Sequence, residues 1–213
     1  MTARYFVERM LTVLQDEAAV RWPVPECVRN LNEALLMLAV DRPDAVAVTV
    51  EHTLAAGYRQ ALPADAMGLI QVECNNEGRR RAVRRVDVLQ LDAVSPYWRS
   101  QPGTREPVHF MYDLREPGVF EVYPPVLANT KVTLVYPRRP EPIAEASTVS
   151  GVNGTLPVAD QWFNALLHAA LSKGYMKDAE FGGNVALATA HLEAYNALVG
   201  KQLQSASAVA PRS

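Results

Sequence analysis

The spacing of apolar residues changes twice along this chain, and that double change constrains the fold more than any single motif does. Up to about residue 44, apolar side chains recur at steps of three and four. From Ala45 they alternate along β-branched runs, and after residue 153 the helical spacing returns. A chain helical at both ends and extended between them has one economical packing. The ends join as one helical bundle, and the middle forms a small sheet or barrel of its own. The expectation is an α+β fold, with residues 1–44 and 154–203 in the bundle, 45–153 in the β-rich part, and 204–213 as a flexible tail.

The boundaries follow from local chemistry. Phe6, Met10 and Val13 or Leu14 share one face of a helix from about Arg4 to Asp16. Pro25 suits a first helical position, and Glu26 places negative charge where the helix dipole favours it. Val28, Leu31, Leu35 and Leu38 give that second helix its stripe, and Pro43 stops it by driving Arg42 out of helical backbone. Strands are expected over 45–52, 58–63 and 69–74, with 79–86 returning from the Asn75-Asn76-Glu77-Gly78 turn. Asp87 caps a helical turn or two through Asp92. Residues 108–113 and 119–123 form a hairpin around Glu116-Pro117-Gly118, with 131–136 as a third strand beside it. A loop over 137–153 leads to a helix starting near Pro157, and Gly182-Gly183 opens a last helix ending near Leu203. The final ten residues lack periodicity.

Composition narrows the function classes. With 213 residues, 49% of them hydrophobic, there is material for a real core, and a net charge of −2 argues against a general nucleic-acid binder. Cys27 and Cys74 stand far apart and read as buried thiols of a reducing cytoplasm. The charged start, with Glu8 and Arg9, does not read as a signal peptide, and no apolar run is long enough for a membrane span. The four histidines fall in four separate elements without ligand spacing, and no phosphate loop, nucleophile elbow or dinucleotide fingerprint occurs. No catalytic residue, cofactor or metal is expected.

Arg79, Arg80, Arg81, Arg84 and Arg85 form the one cluster with a functional reading. A solvated hairpin that blunts a sheet edge accounts for it simply. The sharper reading is contact with an acidic protein or with passing DNA backbone; no interleaved aromatics point to base reading. Trp98 and the Tyr123-Pro124-Pro125 corner read first as plugs under loops and second as interface anchors.

Several short stretches, in order, give the chain a family likeness. They are Trp22-Pro23; Arg59-Gln60-Ala61-Leu62-Pro63-Ala64; Val86-Asp87 to Leu91-Asp92; Pro96-Tyr97-Trp98; and Phe120-Glu121-Val122-Tyr123-Pro124-Pro125. Leu134-Val135-Tyr136 and the helical pair with Ala165-Leu166, Tyr175-Met176-Lys177-Asp178-Ala179-Glu180, Asn184 and His191 complete the set. From about Trp22 to Val199 the chain resembles the head-to-tail adaptor (connector) proteins of tailed bacteriophages, in the group that includes the tail tubular A type.

The resemblance implies a structural virion protein without enzymatic activity. It would be assembled in the host cytoplasm as a homo-oligomeric ring of about twelve copies in the neck, between the portal and the tail or nozzle proteins. Genomic DNA would pass the central channel without sequence-specific recognition, and no membrane is involved. The candidate partner interface then comprises Arg79, Arg80, Arg81, Arg84 and Arg85 with Ala208, Val209, Pro211 and Arg212 of the tail. Rival readings are a stopper or tail-completion protein of the same neck, a ligand-binding β-module on a helical bundle and, last, a hydrolase with dispersed acids.

Overall fold

Thr2 caps the first helix, its hydroxyl accepting from the Tyr5 N–H, and α1 (Ala3–Val13) turns Ala3, Phe6, Val7, Met10 and Leu11 inward. This is a computed structural model; it describes residues 1–177 and 182–209, with Gly182 and 201–209 as backbone only. By contact the chain divides into a helical unit, 1–45 with 140–213, and a β unit, 46–139. Both helices and strands are present, in an α+β fold with two small sheets and no closed barrel.

In the helical unit, the Asp16 carboxylate accepts from the N–H groups of Val20, Arg21 and Trp22 and so shapes the turn after α1. Helix α2 (Val24–Asp41) starts behind Pro23 and buries Cys27, Val28, Leu31, Leu35 and Leu38, as the stripe requires. Burial pushes the Cys27 thiol up to about 12, so it is an inert core group. Arg42, preceding Pro43, leaves helical backbone at φ −135°.

The next long helix of the helical unit lies far downstream, over Phe163–Met176, behind a short 3-10 turn at Asp160–Trp162. It therefore begins six residues later than Pro157, because the chain must first complete that tighter turn. Nine of its fourteen residues are buried. At Gly174 an added Cβ would come within 3.3 Å of Met10 Cε, so glycine lets the helix and α1 approach. The Gly174 carbonyl accepts from Trp22 Nε1 at 2.9 Å.

The loop over 140–153 belongs with the helices and not with the strands. Asn32 exchanges two hydrogen bonds with the Ile143 backbone, and Ile143 and Val152 join the helical core.

In the β unit, β1 (Ala47–Leu54) pairs antiparallel along its whole length with β7 (Thr130–Pro137), and β3 (Gln71–Asn75) takes the other edge of β7. The second sheet runs β2 (Gly57–Ala61), β6 (Val119–Val126), β5 (His109–Met111), β4 (Arg84–Arg85). Between β4 and β5, α3 (Val88–Val94) is the seven-residue helix capped by Asp87. The downstream helix over 163–176 is thus α4, and α5 is Gly182–Val209. Val132, Leu134 and Tyr136 of β7 and Phe120 and Val122 of β6 point into one shared core.

Two expectations for the strands change. The hairpin of β5 and β6 forms, but 131–136 does not join it. Both edges of β6 are taken, one by β2 and the other by β5 and then Thr104, so β7 pairs in the other sheet. The return over 79–86 narrows to a single bridge, Cys74 with Ala82, before Arg84 and Arg85 cross to run parallel with β5. Helix α5 also continues past Leu203 to Val209, since nothing in 204–209 breaks a helical backbone; 210–213 lie outside the described residues.

Arg42 fastens the helical unit. It is 3% exposed, lies 4.7 Å over the Trp162 ring, grips Asp44 with two hydrogen bonds and donates to the Val199 carbonyl at 3.0 Å. Hydrogen bonds to charged groups are worth about 1.5–3 kcal/mol each in context. Arg42→Met is expected to lower the unfolding free energy by about 2–3 kcal/mol in urea denaturation. A loss under about 0.5 kcal/mol, the size of an ordinary surface change, would contradict this role.

Candidate interaction surfaces

A single buried amide shapes the arginine loop. Asn75 is wholly buried at the end of β3, and its backbone N–H and side-chain Nδ2 both donate to the Arg81 carbonyl, at 2.9 and 3.0 Å. Nδ2 also donates to the Pro107 carbonyl at 3.0 Å. Gly78 and Arg80, at φ 63° and 52°, carry the chain through the bend. All five arginines are exposed. Arg80 reaches the Cys74 sulfur and Arg85 donates to the Tyr112 carbonyl. The side chains of Arg79, Arg81 and Arg84 have no partner among the described residues. Three guanidinium groups thus stand free on one loop of the β unit.

The remaining sequence candidates belong to the helical unit. Ala208 and Val209 end α5 and are described by backbone alone; Pro211 and Arg212 lie outside the described residues.

Sequence reasoning did not single out the surface around α3. None of its seven residues is buried. Leu89 is 73% exposed and Val94 85%, and beside them Tyr97 is 83% and Leu114 79% exposed. Water-facing apolar residues would normally leave so short a helix loose, yet its far end is anchored. Trp98 is fully buried, edge-on to Tyr58 and Tyr123, and its Nε1 donates to Asp92 at 2.8 Å. Arg99 donates to the same carboxylate oxygen at 2.6 Å and lies 4.4 Å over the Trp98 ring. The Arg99 and Trp98 hydrogen bonds hold the Asp92 carboxyl below its ordinary range. Trp98 is therefore the plug that its loop position suggested, while the adjacent Tyr97 faces outward.

Between α3 and the β5–β6 hairpin runs an open groove of about 830 Å³. It is the concavity that a ligand-binding β-module would need. Its charged side chains are already engaged: Arg59 with Glu116 at 2.8 Å, Arg99 with Asp92 and, at 3.8 Å, Glu121, Asp113 with Arg115 at 2.6 Å, Asp87 with the Leu89 N–H, and Arg85 with a backbone carbonyl.

Another grouping invisible in sequence joins α4 and α5. His168 and His191 stand 23 residues apart, but their Nδ1 atoms lie 2.8 Å from each other and their rings 5.0 Å apart. Tyr175 stacks on His191 with ring centres 5.5 Å apart. Burial pushes both imidazoles below the usual histidine range, and charge on His168 lowers His191 further. The pairing requires both helices and their register, so residue spacing alone gives no signal for it. Among the described residues no three His, Cys, Asp or Glu side chains gather as a metal-binding group, and no helix is long and apolar enough to cross a membrane.

Set beside known proteins, residues 1–212 match the family model described as SU10 adaptor protein. No curated protein matches the chain.

The anchoring of α3 has a defined pH dependence. Because the folded Asp92 carboxyl titrates below its unfolded value, its contribution is present above about pH 4 and is lost as the pH falls through the depressed folded value. Asp92→Ala should raise hydrogen exchange over residues 87–99 by about fivefold at neutral pH, and wild type should show the same loosening only in strong acid. Unchanged exchange in the variant would remove Asp92 as the anchor.

Proposed function

Because the chain belongs to the SU10 adaptor protein family, phage head-to-tail adaptors of the virion neck, we propose that it builds a homo-oligomeric ring between portal and tail, with a central channel for the genome. The observation that carries this reading is the match along nearly the whole chain, both units included. The role is structural. The protein would be made and assembled in the host cytoplasm, and DNA would pass it without sequence-specific contacts.

Surface chemistry supports the same reading. Helix α5 spans 28 residues yet carries only two carboxylate or ammonium side chains, Glu193 and Lys201. On its described part Val185, Leu187 and Leu192 are exposed. A long helix so poor in charge suits contact with protein better than contact with water alone. Ring closure needs two different faces on each copy, since the contacts are heterologous. The α5 face supplies one candidate and the apolar surface around α3 another. Arg79, Arg81 and Arg84, free of internal partners, suit an acidic patch on the portal or tail, with Arg80 and Arg85 at the margin of the same contact. Residues 204–213, with Ala208, Val209, Pro211 and Arg212, are assigned to docking on the portal or on a neighbouring copy.

Two changes test these assignments in assembling particles. The triple reversal R79E/R81E/R84E should leave the purified protein folded, by circular dichroism, while heads and tails accumulate separately. Joined particles at the wild-type yield would exclude the arginines from the interface. Deleting 204–213 should likewise block joining, and full recovery of joined particles would exclude the tail.

A further inference from the structure

Helix α5 packs along α4, and its buried and polar ties divide along its length. From Tyr195 onward it is fastened: Tyr195 is fully buried and donates to Asp41 at 2.6 Å, Val199 is buried, and Arg42 donates to the Val199 carbonyl. In its first half Ala188 is buried while Val185, Leu187 and Leu192 are exposed. There, among the described residues, the polar tie to α4 is the contact between His168 and His191. Two Nδ1 atoms 2.8 Å apart form a hydrogen bond only if one carries a proton and the other does not. One proton between the two nitrogens joins the helices; once both rings are charged, both Nδ1 atoms carry protons and the hydrogen bond is lost.

We propose that the His168–His191 pair is a proton-operated latch, holding the first half of α5 against α4 while at least one ring has an unprotonated Nδ1 and releasing it when both rings are charged. The inference concerns the single chain and does not depend on the adaptor reading.

Among the described residues, the surroundings offer no unpaired carboxylate to offset the second proton. Tyr175, stacked on His191, is a neutral phenol whose own ionisation burial disfavours. On α4, Lys173 pairs with Glu33 of α2 and Lys177 with Glu26 of α2. Asp41, at the end of α2, is taken by Tyr195 one turn beyond His191, and Glu193 on α5 is exposed. Asp178 and Glu180, between the two helices in sequence, lie outside the described residues. Among the described residues, His168 acts on His191 by charge, and it acts against protonation.

The sign of the effect follows. Above about pH 6.5 both the docked and the released rings are neutral, and docking is at full strength. As the pH falls below that value the released rings take up protons that the docked rings, with depressed affinity, resist, so docking weakens. Because Tyr195 is buried and hydrogen-bonded to Asp41 and Val199 is held by Arg42, the opening is confined to the turns before them.

The test uses the full chain. Hydrogen exchange over 184–192, corrected for the intrinsic effect of pH, should show protection about tenfold lower at pH 5.0 than at pH 7.5 in wild type, while 195–199 changes little. His191→Gln keeps an amide within reach of His168 and removes the second charge, so its protection should change less than about twofold over the same interval. Equal protection of the wild type at both pH values, or an undiminished pH effect in the variant, would overturn the latch. NMR titration of the wild-type histidines needs no substitution. The pair should take up its two protons in steps separated by about one pH unit or more, whereas two independent titrations near pH 6.5 would overturn it.

Discussion

The helical unit depends on the burial of α4 between parts of the chain made far apart. Its Phe163 meets Phe6 of α1 edge-on at 5.5 Å, its Gly174 carbonyl takes the Trp22 indole N–H, and α5 covers it from the C-terminal side. Without α4, the apolar faces of α1 and α2 would lack their partner. Without those helices, a segment with nine buried residues in fourteen would stand in water, which hydrophobic transfer strongly opposes. The unit therefore cannot close until the chain has passed through residues 46–139. The β unit makes such closure simple. The Ala47↔Pro137 pairing puts its first and last strands side by side, so the inserted segment begins and ends at neighbouring points of one sheet.

Much of this was legible in the sequence, where one short-range rule governs each element. The α2 stripe, the Pro43 stop, the Asp87 cap and the Glu116–Gly118 hairpin all follow from neighbours a few residues apart. What was not legible depended on competition at longer range. Residues 131–136 are a strand as their alternation demands, but which sheet they join is decided by the occupied edges of β6. The loop over 140–153 is expected by its boundary in the β-rich part, yet Asn32, more than a hundred residues away, fixes it to the helices. The interaction surfaces divide in the same way. The arginine cluster is visible as composition, but that only three of its members lack partners is a matter of folded geometry. The exposed face of α3 and the histidine pair required the third dimension altogether.

Many of the charged groups are engaged within the fold, and the side chains left over lie on the outside. Arg59 pairs with Glu116 in the groove, Asp92 is engaged in anchoring α3, and Arg42 is engaged inside the helical unit. Left over are apolar residues around α3, an α5 face with little charge, and three free arginines. Large faces of this kind are poor at catalysis and good at contact, which accords with membership of a phage adaptor family.

The central claim is that these leftover faces meet other proteins in the virion neck. Electron cryomicroscopy of the neck of the assembled particle tests it most directly. The account predicts a ring of this chain at the portal–tail junction, with the outward face of α5 buried against another protein and Arg79, Arg81 and Arg84 opposite acidic side chains. A junction without this chain, or a ring in which both surfaces face solvent, would contradict it.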